Sequence, residues 1–157
     1  MNRRKILVVA PEQSENSLPK TGLEIAAIER HHDAVVLRGI VRDSDIAQAI
    51  VDEDFEIIWF VSHGTESGVL LSDGMLGIDA VTQYVRADEA ALCVLNTCNS
   101  EDMAIAIASG SGADVICTIG DVQNRDAIRL GQLLAGELAY CETYREAYEL
   151  VASDGGS

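Results

Sequence analysis

Five short runs of apolar, β-favouring residues punctuate this chain: Lys5–Ala10, Ala34–Leu37, Ile57–Val61, Leu92–Leu95 and Asp114–Ile119. Each is continuous, with no polar residue at every second place. A strand with one wetted face alternates, whereas a strand buried on both faces is apolar throughout. Helical patterns fill the intervals. The first covers Leu23–Arg30, with apolar residues at 23, 26 and 27 and with 25 and 28 beside them. The second covers Ser44–Glu53, behind the cap candidates Asp43 and Ser44. Asp79 can cap a helix to about Arg86, and Ser100 one to Ser109. Asn124 precedes a longer helix to Tyr140. Thr143 with Glu146 forms a capping-box pattern for a last helix near Val151. Strand and helix in alternation predict an α/β sandwich: a mostly parallel sheet of about five to six strands with helices on both faces.

One segment breaks the alternation. Ser67–Gly77 holds two short apolar runs around Asp73-Gly74, which predicts a β-hairpin directly after the third strand. The chain has 157 residues, 48% hydrophobic and 24% charged, which fits one domain and is long enough to bury its own core. That domain is expected over residues 1–152, with 153–157 as a disordered tail.

Charge and cysteine usage narrow the functional classes. There are 11 Lys+Arg against 26 Asp+Glu, a formal net charge of −15. Such a field repels nucleic acid and anionic membrane and attracts basic segments of proteins. The apolar run after the basic start Met1–Lys5 is too short for an export signal or a membrane span. The expected setting is therefore cytoplasmic and reducing. Cys93, Cys98, Cys117 and Cys141 show no C-x-x-C pairing, so no zinc site is expected. No phosphate-binding G-x-x-x-x-G-K-[ST] motif occurs, and Gly110-Ser-Gly112 precedes a strand where a dinucleotide loop would follow one. Residues 11–22 carry Ser14, Ser17 and Thr21, but Glu12 and Glu15 would repel phosphate. No cofactor is expected.

The sharper signal is a pair. His63 ends the third apolar run in Trp59-Phe-Val-Ser-His63-Gly64, and Cys98 follows the fourth in Cys93-Val-Leu-Asn-Thr-Cys98-Asn-Ser100. In a parallel sheet the C-terminal strand ends form the rim where ligands bind. A cysteine just before a helix N-terminus has its thiolate stabilised, and a nearby imidazole can serve as its base or as its imidazolium partner. Gly64 lets a backbone N–H approach a substrate carbonyl, as an oxyanion hole requires. The other cysteines read differently: Cys93 and Cys117 as small core residues inside strands, Cys141 as a bystander near a helix end. His31 and His32, between a helix and a strand, read as solvated or as aids to the helix end. Asp52-Glu53-Asp54 reads as a solvated helix end.

Taken together, Ile57-Ile-Trp-Phe-Val-Ser-His63-Gly64, the Asp-Gly hairpin and Val94-Leu-Asn-Thr-Cys98-Asn-Ser100 resemble the caspase-like cysteine peptidases of the CHAT group. The segment Thr118–Arg129 and the closing Glu146-Ala-Tyr148 extend the resemblance, which runs from about Leu23 to Leu150. It implies a caspase-like sandwich and a thiol endopeptidase that cleaves a protein or peptide substrate. It further implies a Cys98 nucleophile, a His63 partner, and an oxyanion hole from the Gly64 and Cys98 N–H groups. Asn96, Asp121, Asn124 and Asp126 are then the expected substrate-binding residues. In separase-like relatives an acidic residue after the fifth strand receives a basic P1 side chain. Asp121 and Asp126 stand near that place, while Asn124 occupies one position in it. The chain holds little beyond the catalytic core, and it has no cleavable linker between Ser100 and the fifth strand. An alternative reading is a caspase-like regulatory module with little or no activity that binds an effector partner; a flavodoxin-like ligand-binding domain is a third.

Overall fold

A computed structural model describes residues 2–11, 21–61, 64–65, 68–95, 101–117 and 124–155. The elements run β1 (Lys5–Pro11), α1 (Thr21–His31), β2 (Asp33–Gly39), α2 (Asp43–Asp52), β3 (Ile57–Phe60), β4 (Gly64–Thr65), β5 (Gly68–Leu71), β6 (Gly74–Gly77), α3 (Ile78–Asp88), β7 (Leu92–Leu95), α4 (Glu101–Ser111), β8 (Asp114–Cys117), α5 (Asn124–Tyr140) and α6 (Tyr144–Gly155). The five expected apolar runs become β1, β2, β3, β7 and β8. They form one parallel sheet in the order β2-β1-β3-β7-β8.

The reason the runs do not alternate is visible in the packing. Leu7, Val9, Ile58, Phe60, Cys93 and Leu95 face one core, which is completed by Ile46 of α2, Val81 and Val85 of α3, and Met103 and Ile107 of α4. Ile6, Val8, Ile57, Trp59, Leu92 and Val94 face the other, beneath Ile25 and Ile28 of α1, Leu134 and Leu138 of α5, and Ala147 and Val151 of α6. Successive strand residues point to opposite faces, so two cores demand apolar residues at every position. The result is the three-layer α/β arrangement expected of a caspase-like sandwich, with its antiparallel insertion after the third strand.

That insertion is larger than a hairpin. β4, β5 and β6 form a three-stranded antiparallel sheet, with Gly64 opposite Val69 and Leu71 opposite Gly74. The two turn residues are Ser72 and Asp73, one place earlier than the Asp-Gly signal suggests, and Gly74 takes φ +129° as the first paired residue. Gly68 has no room for a side chain. A Cβ there would fall far inside contact distance of the Leu76 carbonyl oxygen.

Several local expectations are corrected. In α1 the buried residues are Glu24, Ile25, Ala27 and Ile28, while Leu23 and Ala26 are exposed. The helix is turned because Glu24 goes inward, where its carboxylate accepts a hydrogen bond from Trp59 Nε1 at 3.2 Å. α2 is capped at Arg42, whose N–H donates to the Asp45 carboxylate at 2.8 Å, so Asp43 and Ser44 lie in the first turn. α3 is capped at Gly77, and Asp79 lies in its first turn. Carboxylates favour both places, since either one meets the exposed N–H groups of the helix start. The Thr143 hydroxyl does accept from the Glu146 N–H at 3.1 Å. α6 continues through Gly155, so the tail expected from Ser153 is helical over its first three residues. Val151, where the helix is expected to end, is buried against the core beneath α1 and α5.

His32 is not solvated. It is 1% exposed, its Nδ1 accepts from the Arg4 N–H at 3.2 Å, and its Nε2–H donates to the Ala135 carbonyl at 2.8 Å. Burial pushes its pKa below the ordinary value. The imidazole is thus a neutral bracket between β1 and α5. Asp52, Glu53 and Asp54 are exposed as expected, with Glu53 bonded to Lys5 at 2.8 Å.

Candidate active site

The strand order decides which loops can meet. β3 and β7 are neighbours, paired in parallel with Ile57 opposite Leu92 and Phe60 opposite Leu95. β1 flanks β3 on its other side, and β8 flanks β7. All four strands therefore end at the same edge of the sheet. Residues 12–20, 62–63, 96–100 and 118–123 follow those ends in the sequence. His63, Asn96, Cys98 and Asp121 belong to them and lie outside the described residues.

The register still fixes one relation between the pair. His63 stands three residues after Phe60, and Cys98 three residues after Leu95, the residue paired with Phe60. Gly64 lies in β4, opposite Val69. α4 begins at Glu101, three residues beyond Cys98, so the chain passes from the end of β7 into a helix N-terminus within five residues. Asn124 is the first residue of α5 and Asp126 the third, so both belong to that helix rather than to the loop before it.

The remaining thiols are accounted for by packing. Cys93 is 0% exposed in the middle of β7, and burial pushes its pKa up to about 12. Cys117, at the end of β8, is half-buried against the core that contains Cys93. Cys141 is buried just past α5, and its thiol donates to the Glu137 carboxylate at 3.7 Å. Burial, followed by the Glu137 charge, raises its pKa. A thiolate is disfavoured at Cys93 and Cys141 alike. Among the described residues no group of three or more His, Cys, Asp or Glu side chains is arranged to hold a metal ion.

Two polar features had no clear sequence signal. Glu24 sits 2% exposed against Trp59 and Gly131, and a Cβ on Gly131 would collide with its carboxylate. A glutamate in a helical first turn ordinarily reads as surface charge, so only the missing side chain at Gly131 hinted at it. At the opposite end of the sheet Arg4 donates to Glu56 at 2.6 Å, to the Leu138 carbonyl at 2.8 Å and to the Cys141 carbonyl at 3.0 Å, and stacks 5.1 Å from the Tyr144 ring centroid. Tyr144 donates its hydroxyl to the same Glu56 carboxylate. This network lies at the N-terminal strand ends, away from the rim.

The class defined by these observations is a three-layer α/β protein with a parallel sheet and a small antiparallel sheet inserted after β3. No family model matches the chain, and no curated protein matches it. Among the described residues no helix is long and apolar enough to cross a membrane.

Proposed function

We propose that this chain is a caspase-like cysteine endopeptidase in which Cys98 is the nucleophile and His63 its proton-transfer partner. The observation that carries the reading is the β3–β7 register, with both residues following the paired strand ends by the same three positions. In the proposed reaction the Cys98 thiolate attacks the scissile carbonyl carbon and forms a C–S bond. The oxyanion is received by the Gly64 and Cys98 N–H groups. Collapse breaks the C–N bond, and the amine leaves with a proton from His63. Water then attacks the thioester, giving its proton back to His63, and the acid departs as the thiol is regenerated. Burial of Cys93 and Cys141 supports the assignment by removing two competitors.

The test is intact-mass labelling with peptidyl electrophiles bearing Arg, Lys or Asp at P1, followed by site mapping. The expected outcome is a single adduct at Cys98 and loss of fluorogenic peptide turnover in Cys98→Ala and His63→Ala. A folded protein that neither turns over peptides nor labels Cys98 faster than Cys141 rejects the peptidase reading in favour of a regulatory binding module.

The same reading makes the substrate a protein segment in the cytoplasm with a basic P1 residue, received by Asp121, with Asn96, Asn124 and Asp126 as further substrate-binding residues. A desolvated charged hydrogen bond of that kind contributes roughly 1.5–3 kcal/mol. Asp121→Ala is then expected to lower turnover of Arg substrates about tenfold or more while leaving the melting temperature nearly unchanged. Equal losses on all substrates, with a lower melting temperature, would assign Asp121 to a structural turn.

A further inference from the structure

Among the described residues β8 is the outermost strand of the parallel sheet beside β7, and a groove of about 380 Å³ runs along it against α6. The groove is walled by Asp114, Val115 and Ile116 on the strand and by Tyr144, Arg145 and Tyr148 on the helix. The backbone of the strand is directional. Asp114 N–H bonds the Ala91 carbonyl, so in a parallel ladder Asp114 and Ile116 spend their N–H and C=O groups on β7. The N–H and C=O of Val115 therefore point away from β7, toward the open side. An edge of this kind is a template for one more strand. The walls combine the aliphatic Val115 and Ile116, the two tyrosines and the charged Asp114 and Arg145, and Tyr148 is 38% exposed. Arg145 is exposed and, among the described residues, makes no ion pair, although acidic residues outnumber basic ones 26 to 11. Tyrosine and arginine around an apolar centre is the composition of protein-recognition surfaces.

We propose that the β8–α6 groove is a docking site for an extended segment of a protein partner. The segment adds a strand to β8 through the Val115 backbone, places an aliphatic side chain between Ile116 and Tyr148, and sets a carboxylate on Arg145. Backbone pairing supplies affinity, and the alternate side chains supply choice. A second copy of this chain is the poorer occupant, since it would bring one charge of −15 against another. The proposal does not depend on the thiol chemistry, because neither His63 nor Cys98 takes part.

The test uses the ¹⁵N-labelled full chain and a blocked heptapeptide of alternating valine and threonine with one central glutamate. Two companion peptides carry lysine in place of the glutamate, or N-methyl groups on the amides that would face β8. The expected result is saturable shift changes confined to 114–117 and 144–148, with slowed exchange of the Val115 amide. The lysine peptide should bind about fivefold or more weakly, as one lost charge pair of roughly 1 kcal/mol implies. The N-methylated peptide should not bind. Arg145→Ala should erase the difference between the glutamate and lysine peptides. Val115→Pro removes an outward-facing donor, which edge strands tolerate, along with part of a side chain packed on the core, and should abolish binding while the fold is kept. Shifts elsewhere, equal binding of the glutamate and lysine peptides, binding that survives N-methylation, or peptide-independent dimerisation through β8 would each overturn the proposal. If Val115→Pro unfolds the chain, the N-methylated peptide and Arg145→Ala still decide.

Discussion

Asp88 closes the last turn of α3 at 7% exposure, with its carboxylate accepting from the Phe55 N–H at 3.3 and 3.4 Å. Two hydrogen bonds to one N–H do not replace the water it has lost. Burial, with the Asp54 charge added, pushes its pKa up to about 6, against 3.8 for an ordinary carboxyl. The folded state therefore holds the proton more tightly than the unfolded state does. Stability from this group is greatest below the unfolded pKa and falls as pH rises through about 4 to 6, where a charge must stay buried. Asp88→Asn keeps an acceptor for Phe55 and removes the charge. Urea melts should find the variant more stable than the parent by about 1–2 kcal/mol at pH 7.5, with the two curves converging near pH 4. A constant difference across that range would assign the effect to packing rather than to titration.

At the scale of elements, the three-stranded insertion depends on glycine at one contact. Gly68 pairs with Gly77 and lies against the Leu76 carbonyl, where backbone rather than a flexible side chain blocks any Cβ. Gly68→Ala should cost about 2 kcal/mol or more, read by denaturant titration, because the meander must shift to admit the methyl group. A loss under about 0.5 kcal/mol would mean that β5 and β6 separate freely. The insertion also marks where the sequence could be read and where it could not. The Asp-Gly signal marks its turn to within one residue, but β4 has two residues, too short for any period to appear. The five sheet strands were readable because burial on both faces leaves no polar position within them. The buried face of α1 is not legible, since a buried carboxylate held by an indole carries no periodic signal. His63 and Cys98 could be singled out by their places after apolar runs. Their neighbourhood could not, because packing chooses the strand order, and β3 with β7 are 31 residues apart between Phe60's successor and Leu92.

Across the whole molecule, the first residues fasten the last helices. Asn2 N–H donates to the Ala139 carbonyl and its side-chain amide to Cys141, while Arg4 holds Leu138, Cys141 and Glu56 together. These bonds satisfy carbonyls at the C-terminal end of α5 that no later helical N–H reaches. Arg4→Ala should cost about 2–4 kcal/mol, since it takes the guanidinium from Glu56, removes the side-chain donor of the Leu138 carbonyl and leaves the Cys141 carbonyl only the Asn2 amide. Hydrogen exchange should rise first at the α5–α6 junction. Uniform acceleration through every helix would indicate only global destabilisation.

The core beneath α1, α5 and α6 is built from β1, β3 and β7 on one side, and on the other from α1 and, for the larger part, from the last third of the chain. A ribosome delivers those two halves at different times. Until α5 and α6 emerge, one face of the sheet, Trp59 included, is covered by α1 alone, while the face beneath α2, α3 and α4 already has its helices. The single tryptophan of the chain thus lies in the layer that is sealed last. Its fluorescence would time the completion of this protein during synthesis, and a chain stopped before α5 would present a sticky sheet to chaperones.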